Sequence, residues 1–294
     1  MNHNTKGPPP GKPRWLRKGL SSGPEYERVR TILKAQKLHT VCQEARCPNL
    51  WECFSRHTAT FMILGTRCTR NCRFCAVRHD KPKAPDPEEP RRIAETAEAM
   101  NLRHVVVTSV TRDDLPDGGA SHFAATVHEI RKQVPEATIE ILVPDFQGSR
   151  DALRTVVESR PDVFNHNVET AERLYPAVRP VAKYNRSLDL LSRVKELDES
   201  LVTKSGLMLG LGENPEEITI TLWDLFSVGC DIVTMGQYLQ PTKANIPVTR
   251  YVTPEEFDFW KETALKMGFL AVASGPLVRS SYRAGELLDR TLKR

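Results

Sequence analysis

Short apolar runs recur along the chain at residues 60–64, 105–107, 139–143, 163–164, 206–209 and 232–235, separated by helix-like stretches at 88–100, 121–133, 188–197 and 215–226. Runs too short for helices, alternating with segments long enough to be helices, predict parallel strands joined by helical crossovers. About six such units precede the last segments, fewer than the eight of a complete barrel. Upstream, residues 25–36 place Tyr26, Val29, Ile32, Leu33 and Gln36 on one side, the pattern of an amphipathic helix entered by Pro24. The stretch before it holds Pro8-Pro9-Pro10, Pro13 and Gly23-Pro24 and reads as an extended tail in which Trp15 is the candidate anchor.

Composition narrows the class. A chain of 294 residues without a Pro/Gly/Ser-rich linker after residue 25 is expected to form one unit. Its 39% hydrophobic and 27% charged residues are ordinary for a globular protein, and no apolar run is long enough to span a bilayer. The seven cysteines are odd in number and follow no secretory segment, which argues against a disulfide framework and for a reducing, cytoplasmic setting. The net charge of +5 is spread without a long basic run, so nucleic acid is not an expected partner. Such a field favours encounter with an acidic protein.

Six of the seven cysteines fall in two clusters: Cys42, Cys47 and Cys53, then Cys68, Cys72 and Cys75. The second is Cys68-Thr-Arg-Asn-Cys72-Arg-Phe74-Cys75, directly after the first apolar run. Three thiolates can hold an iron-sulfur cubane while leaving one iron for a non-protein ligand. A closed zinc site wants four ligands, usually in paired spacings that are absent here. The first cluster cannot share one helical face at its spacing and is expected to be a loop wrapping something. It too lacks a fourth ligand.

The C-x3-C-x2-C spacing, with Phe74 before the third cysteine, resembles the signature loop of the radical S-adenosylmethionine (SAM) superfamily. Adding C-x4-C-x5-C and Arg279-Ser280-Ser281-Tyr282-Arg283, the chain from Cys42 to Arg283 looks like a member of the lipoyl synthases. Stretches 105–114, 165–170 and 204–213 are also similar to that family. The resemblance implies an α/β fold, a partial (β/α)6 radical SAM barrel with N-terminal and C-terminal extensions. Its divisions would be 1–58 (tail, helix and first cysteine loop), 59–268 (barrel) and 269–294 (the serine motif), together one globular unit.

The resemblance also implies two [4Fe-4S] clusters. Cys68, Cys72 and Cys75 would hold the one that cleaves SAM, and Cys42, Cys47, Cys53 and Ser281 an auxiliary one that gives up sulfide. The reaction would insert two sulfur atoms at C6 and C8 of an octanoyl-lysine chain on a lipoyl carrier domain. An electron donor and a cluster-repair protein would be further partners. Methylthiolation of transfer RNA and a non-catalytic zinc-binding role are the rival readings, and neither explains the serine motif.

Individual residues carry finer expectations. Asn167 and Glu169 are candidates for the SAM ribose and Lys204 for the methionyl carboxylate. Gly118-Gly119-Ala120 stands where many radical SAM proteins have an acidic third residue, leaving backbone carbonyls, Asp113, Asp114 or Asp117 as candidates for the amino group. Cys230 competes with Ser281 as fourth auxiliary ligand, since thiolate suits iron-sulfur clusters better than alkoxide. A buried thiol also has a purely structural use. His166, at a strand terminus, is expected to be a satisfied structural histidine, and Arg279 and Arg283 flank the serines.

Overall fold

Seven strands pair in parallel, in sequence order, into one open sheet: β1 (Thr60–Ile63), β2 (His104–Ser109), β3 (Thr138–Leu142), β4 (Val163–Asn165), β5 (Val202–Leu209), β6 (Ile232–Gln237) and β7 (Ala271–Gly275). The computed structural model describes residues 11–17, 24–44, 47, 49–55 and 60–292. The proline run Pro8-Pro9-Pro10 and the expected boundary at 58/59 lie outside them. A two-residue strand, His39–Thr40, adds antiparallel to the outer edge of β1. Strands rich in Val and Ile and buried on both faces suit a parallel sheet covered by helices. Val105, Val107, Ile139, Ile141 and Phe164 are fully buried in one core with Phe61 and Ile63.

The crossovers are α2 (Glu89–Ala99), α3 (Ala120–Gln133), α4 (Arg150–Glu158), α5 (Tyr184–Leu197), α6 (Pro215–Ser227) and α7 (Pro254–Met267), after α1 (Pro24–Ala35). Local chemistry fixes their ends. Asn214 and Glu217 form a reciprocal capping box ahead of α6, and the Thr253 side chain accepts the Glu256 N–H in the first turn of α7. A second core, built on Leu222, Leu225, Val233, Met235, Phe257 and Phe269, fills the C-terminal half. Among the described residues, no helix is long and apolar enough to cross a membrane.

Six strands are those expected from the apolar runs. The seventh was not among those runs: Ala271-Val272-Ala273-Ser274-Gly275 is short and small, yet it pairs in register with β6 from Ala271 opposite Ile232 to Gly275 opposite Gly236. The stretch 269–294 therefore begins as a barrel strand. It ends as α8 (Ala284–Leu292). In the N-terminal stretch, Trp15 stands 44% exposed whereas Leu16 is fully buried, so the anchor is the neighbour of the residue expected.

Between β7 and α8 the chain crosses the open side of the sheet. Asn49 Nδ2 donates to the Leu277 carbonyl at 2.6 Å, Thr60 Oγ1 to Ser281 Oγ at 2.9 Å and Tyr282 Oη to Glu52 Oε1 at 2.9 Å. Residues at the two ends of the sequence thus close one wall. Passage over β6 is possible because Gly236 has no side chain: a Cβ there would overlap the Val278 carbonyl.

Candidate functional site

The sequence positions its second cysteine set beyond the carboxyl end of β1, where parallel β/α folds gather chemistry. Beyond β1, Arg67–Cys68 pairs with Arg78–His79 and closes the base of the second cysteine loop. Thr69 N donates to the Thr111 carbonyl and Arg73 N to the Val178 carbonyl, at 3.0 and 2.9 Å. Asn245 Nδ2 reaches the Cys75 carbonyl at 2.9 Å from the far side. Inside this frame the backbone N–H groups of Arg70 and Val77 each point at a sulfur, Cys68 Sγ and Cys75 Sγ, at 3.4 Å. Such bonds favour thiolate.

Arg70, a residue the sequence reading passed over, fastens the loop to the sheet. Its guanidinium is 4% exposed and binds Asp113 through two nitrogens at 2.6 and 2.8 Å and Asp145 at 2.6 Å. Burial works against both charges, but the pairing wins: the Asp145 carboxyl lies well below its ordinary range and the guanidinium above its own. An arginine beside a cysteine reads as surface in sequence. Nothing there signals two carboxylates arriving from the ends of β2 and β3.

The first cysteine set departs from the expected loop. Cys42 lies in a short helix, Val41–Glu44, Cys53 in another, Leu50–Ser55, and Cys47 in the turn between them, with Cys47 N bonded to the Cys42 carbonyl at 3.0 Å.

Both sets meet at one cavity of about 680 Å³ over the strand ends. Cys42, Cys47, Cys68, Cys72, Cys75 and Ser281 line it. Cys53 opens instead onto an adjoining cavity of about 580 Å³, and Ser281 borders both. Among the described residues no three of these side chains converge on the position of a single metal ion. The separately ligated corners of a cubane stand wider apart than the donors of one ion.

The donor chemistry fits clusters. Burial, then the neighbouring Cys47, pushes the Cys42 thiol up to about 11, and burial pushes Cys75 up to about 12. Cys72 is raised by burial too, partly offset by Arg179. Thiols held this way ionise when a metal supplies positive charge. Arg179 lines the cavity; its Nη1 binds the Asn167 and Val168 carbonyls at 3.0 and 3.2 Å, and its buried Nε has no partner among the described residues. The positive charge of Arg179 lies close enough to Cys72 to favour its thiolate.

The stretch after β4 supplies the facing wall. Asn167 Nδ2 donates to Glu169 Oε1 at 3.1 Å, and both residues line the cavity. Glu169 adopts φ 67°, a left-handed conformation uncommon for a residue with a side chain. Two backbone bonds hold it there, Glu169 N to the Gly206 carbonyl at 2.9 Å and Met208 N to the Glu169 carbonyl at 2.8 Å. Burial raises the Glu169 pKa, with Arg179 and Asn167 pulling the other way.

Several expectations require correction. Lys204 lies below the cavity, fully buried, with Nζ 2.9 Å from each oxygen of Glu140, so its ammonium is already spent. Burial opposes the Glu140 charge, but Lys204 and His104 hold its pKa down to about 2. The three aspartates are engaged elsewhere and none lines the cavity: Asp113 with Arg70, Asp114 with Arg112 at 2.8 and 2.9 Å, and Asp117 with the N–H groups of Gly119 and Ser121 at the start of α3. Cys230 sits in the second core, its thiol pointing to the Ile232 carbonyl at 3.3 Å. His166 behaves as a structural residue. Its Nδ1 is 2.8 Å from the Val143 carbonyl and must carry the proton, leaving Nε2 to accept from Ser187 Oγ at 2.9 Å, and burial lowers its pKa to about 4.

Comparison with known proteins places these features in a family. The radical SAM superfamily pattern matches residues 62–222, and that of the N-terminal domain of lipoyl synthase of the radical SAM family matches residues 3–47. The chain is 59% identical to a lipoyl synthase of Caldanaerobacter subterraneus subsp. tengcongensis over 93% of its own length and 95% of that protein's. It is 56% identical to one of Rubrobacter xylanophilus over 94% and 86%. Among solved structures, HydG, a maturase of the [FeFe]-hydrogenase, aligns with TM-score 0.57 at 16% identity over 72% of this chain and 50% of its own. Streptococcus suis SuiB bound to S-adenosylmethionine aligns with TM-score 0.56 at 10% identity over 74% and 51%. At such identities these two share the fold alone.

Proposed function

We propose, from the premise that the chain belongs to the lipoyl synthase family of the radical SAM superfamily, that it inserts two sulfur atoms at C6 and C8 of an octanoyl chain carried on a lysine of a lipoyl carrier domain. The observation that carries this reading is that Cys42 and Cys47 of the first thiol set, the whole second set and Ser281 border one cavity, with Cys53 on an adjoining cavity that Ser281 also borders. A radical generator and a sulfur source must both reach one alkyl chain, and a shared cavity permits that.

In this reading Cys68, Cys72 and Cys75 hold the SAM-cleaving [4Fe-4S] cluster, and Cys42, Cys47, Cys53 and Ser281 an auxiliary one. When bound, SAM and the clusters supply the 5'-deoxyadenosyl radical that removes hydrogen and the sulfide that replaces it. The protein's part is orientation and exclusion of water. Asn167 and Glu169 meet the ribose, and Arg179 places its positive charge beside Cys72 at the cavity wall. Lys204 has no such part, because Glu140 holds it. Phe74, Val77, Leu239 and Val278 add apolar lining for an alkyl chain, and excluding water protects a radical from side reactions. An electron donor, a cluster-repair protein and a cytoplasmic setting complete the proposal.

Anaerobic incubation of the iron- and sulfide-loaded protein with SAM, a reductant and an octanoyl-lysine peptide tests it. Mass spectrometry should show the peptide gaining two sulfur atoms. Methionine and 5'-deoxyadenosine formed beside unmodified peptide, across several carrier sequences, would leave the radical chemistry standing and remove the substrate. A colourless protein holding zinc would remove both.

A further inference from the structure

The two serines of the C-terminal motif face different parts of the cavity wall. Ser281 Oγ accepts from Thr60 at 2.9 Å, on the side of the first cysteine set. Ser280 Oγ faces the strand ends: it accepts from Asn165 Nδ2 at 2.9 Å and gives its single proton to Asn167 Oδ1 at 2.8 Å.

The orientation of the Asn167 amide follows from that proton. An amide presents an acceptor on one side and donors on the other, and rotating it exchanges them. With Oδ1 fixed by Ser280, Nδ2 is turned to Glu169 Oε1 at 3.1 Å. The far end is anchored as well. Asn165 Nδ2 also donates to Glu140 Oε1 at 2.9 Å, and Glu140 is clamped by Lys204. A continuous run of bonds therefore leads from a fully buried ion pair, through Asn165, Ser280 and Asn167, to the Glu169 carboxyl at the cavity wall. Gly206 leaves room for it, since a Cβ there would stand 2.7 Å from Asn167 Oδ1.

We propose that Ser280 is a positioning residue for SAM, fixing the Asn167 amide and through it the Glu169 carboxyl in the orientation that receives the ribose. The inference rests on the reading that Asn167 and Glu169 contact SAM. It makes the segment that closes the auxiliary site also the one that shapes the SAM site, so disturbing the motif at Ser280 weakens SAM rather than the auxiliary cluster.

SAM binding to the iron- and sulfide-loaded protein, kept unreduced so that no cleavage occurs, tests it by equilibrium dialysis with labelled SAM. The proteins compared are wild type, Ser280→Ala, Ser280→Thr, Asn167→Ala and the Ser280→Ala/Asn167→Ala pair, each with its iron and sulfide content measured. Ser280→Ala should bind SAM about tenfold more weakly, the scale of one lost positioning hydrogen bond, with iron content unchanged. Ser280→Thr, which keeps the hydroxyl, should recover most of the affinity. The double variant should be no weaker than Asn167→Ala alone, since the two act as one unit. If Asn167→Ala leaves SAM affinity unchanged, the ribose reading fails and takes the inference with it. If Asn167→Ala weakens SAM while Ser280→Ala does not, or the two losses add, the ribose reading stands and the role of Ser280 is overturned. Iron lost alike from Ser280→Ala and Ser280→Thr would make the residue a strut for cluster binding and overturn it too.

Discussion

Thr60 Oγ1 donates a hydrogen bond to Ser281 Oγ at 2.9 Å, joining the first residue of β1 to a hydroxyl 221 positions later. A donor aimed at that oxygen favours its anionic form, the form in which it could ligate iron. Cys230 has no access to the same place, because its thiol is 3% exposed within the second core. The softer ligand is the one out of reach.

Cys230→Ser should accordingly retain both clusters and lipoyl formation, at a stability cost of about 1–3 kcal/mol for a polar group placed in an apolar core. Ser281→Ala should lose sulfur insertion at least tenfold while SAM cleavage remains measurable. Iron and sulfide content, 5'-deoxyadenosine and lipoyl product are the three readouts. The reverse pattern would make Cys230 the ligand.

The two cysteine sets should fail differently. Alanine at Cys68, Cys72 and Cys75 together should abolish 5'-deoxyadenosine formation, while alanine at Cys42, Cys47 and Cys53 should leave cleavage and remove sulfur insertion. Equal cleavage by both triple variants would refute the division of labour.

Much of this architecture was legible because it is local. The apolar runs at 60–64, 105–107, 139–143 and 232–235 became β1, β2, β3 and β6, and the second cysteine spacing falls on the loop beyond β1. What escaped was made by long-range pairing. Ala271-Val272-Ala273-Ser274-Gly275 lacks the bulk that marks a strand, and its small side chains make sense only beside β6. Lys204 could be placed on a strand but not at a depth, and only the fold shows Glu140 arriving beneath it. Arg70, Arg179 and Ser280 gave no signal because their partners lie on other strands or loops.

The buried pair of Glu140 and Lys204 should dominate the stability of the barrel floor. Removing one partner leaves the other charge uncompensated and should cost about 3–5 kcal/mol, so Glu140→Gln and Lys204→Met should each unfold at markedly lower urea than wild type. The Glu140 pKa is held near 2 against an ordinary 4.5, so its contribution is fully present above the ordinary value and lost only as pH falls toward the folded one. The stability gap between wild type and the Glu140→Gln/Lys204→Met double variant, which leaves no buried charge behind, should therefore be flat from about pH 8 to about pH 5. Urea unfolding across that range checks it, and a gap that shrinks within the window would mean the carboxyl is not held ionised.

Arg70 provides the remaining test, because it lies within the loop that holds the second cysteine set and fastens that loop to Asp113 and Asp145. Its fork meets Asp113 with two nitrogens and reaches Asp145 as well, an arrangement that a single ammonium cannot reproduce. Arg70→Lys should therefore loosen the Cys68 to Cys75 turn while leaving Cys42, Cys47 and Cys53 undisturbed. SAM cleavage should fall at least tenfold, and the iron that remains should be that of the auxiliary set. Mössbauer spectra of enriched protein, with the Cys42/Cys47/Cys53 and Cys68/Cys72/Cys75 triple variants as references, separate the two populations. Iron lost equally from both sets would mean that Arg70 supports the whole fold rather than the loop it fastens.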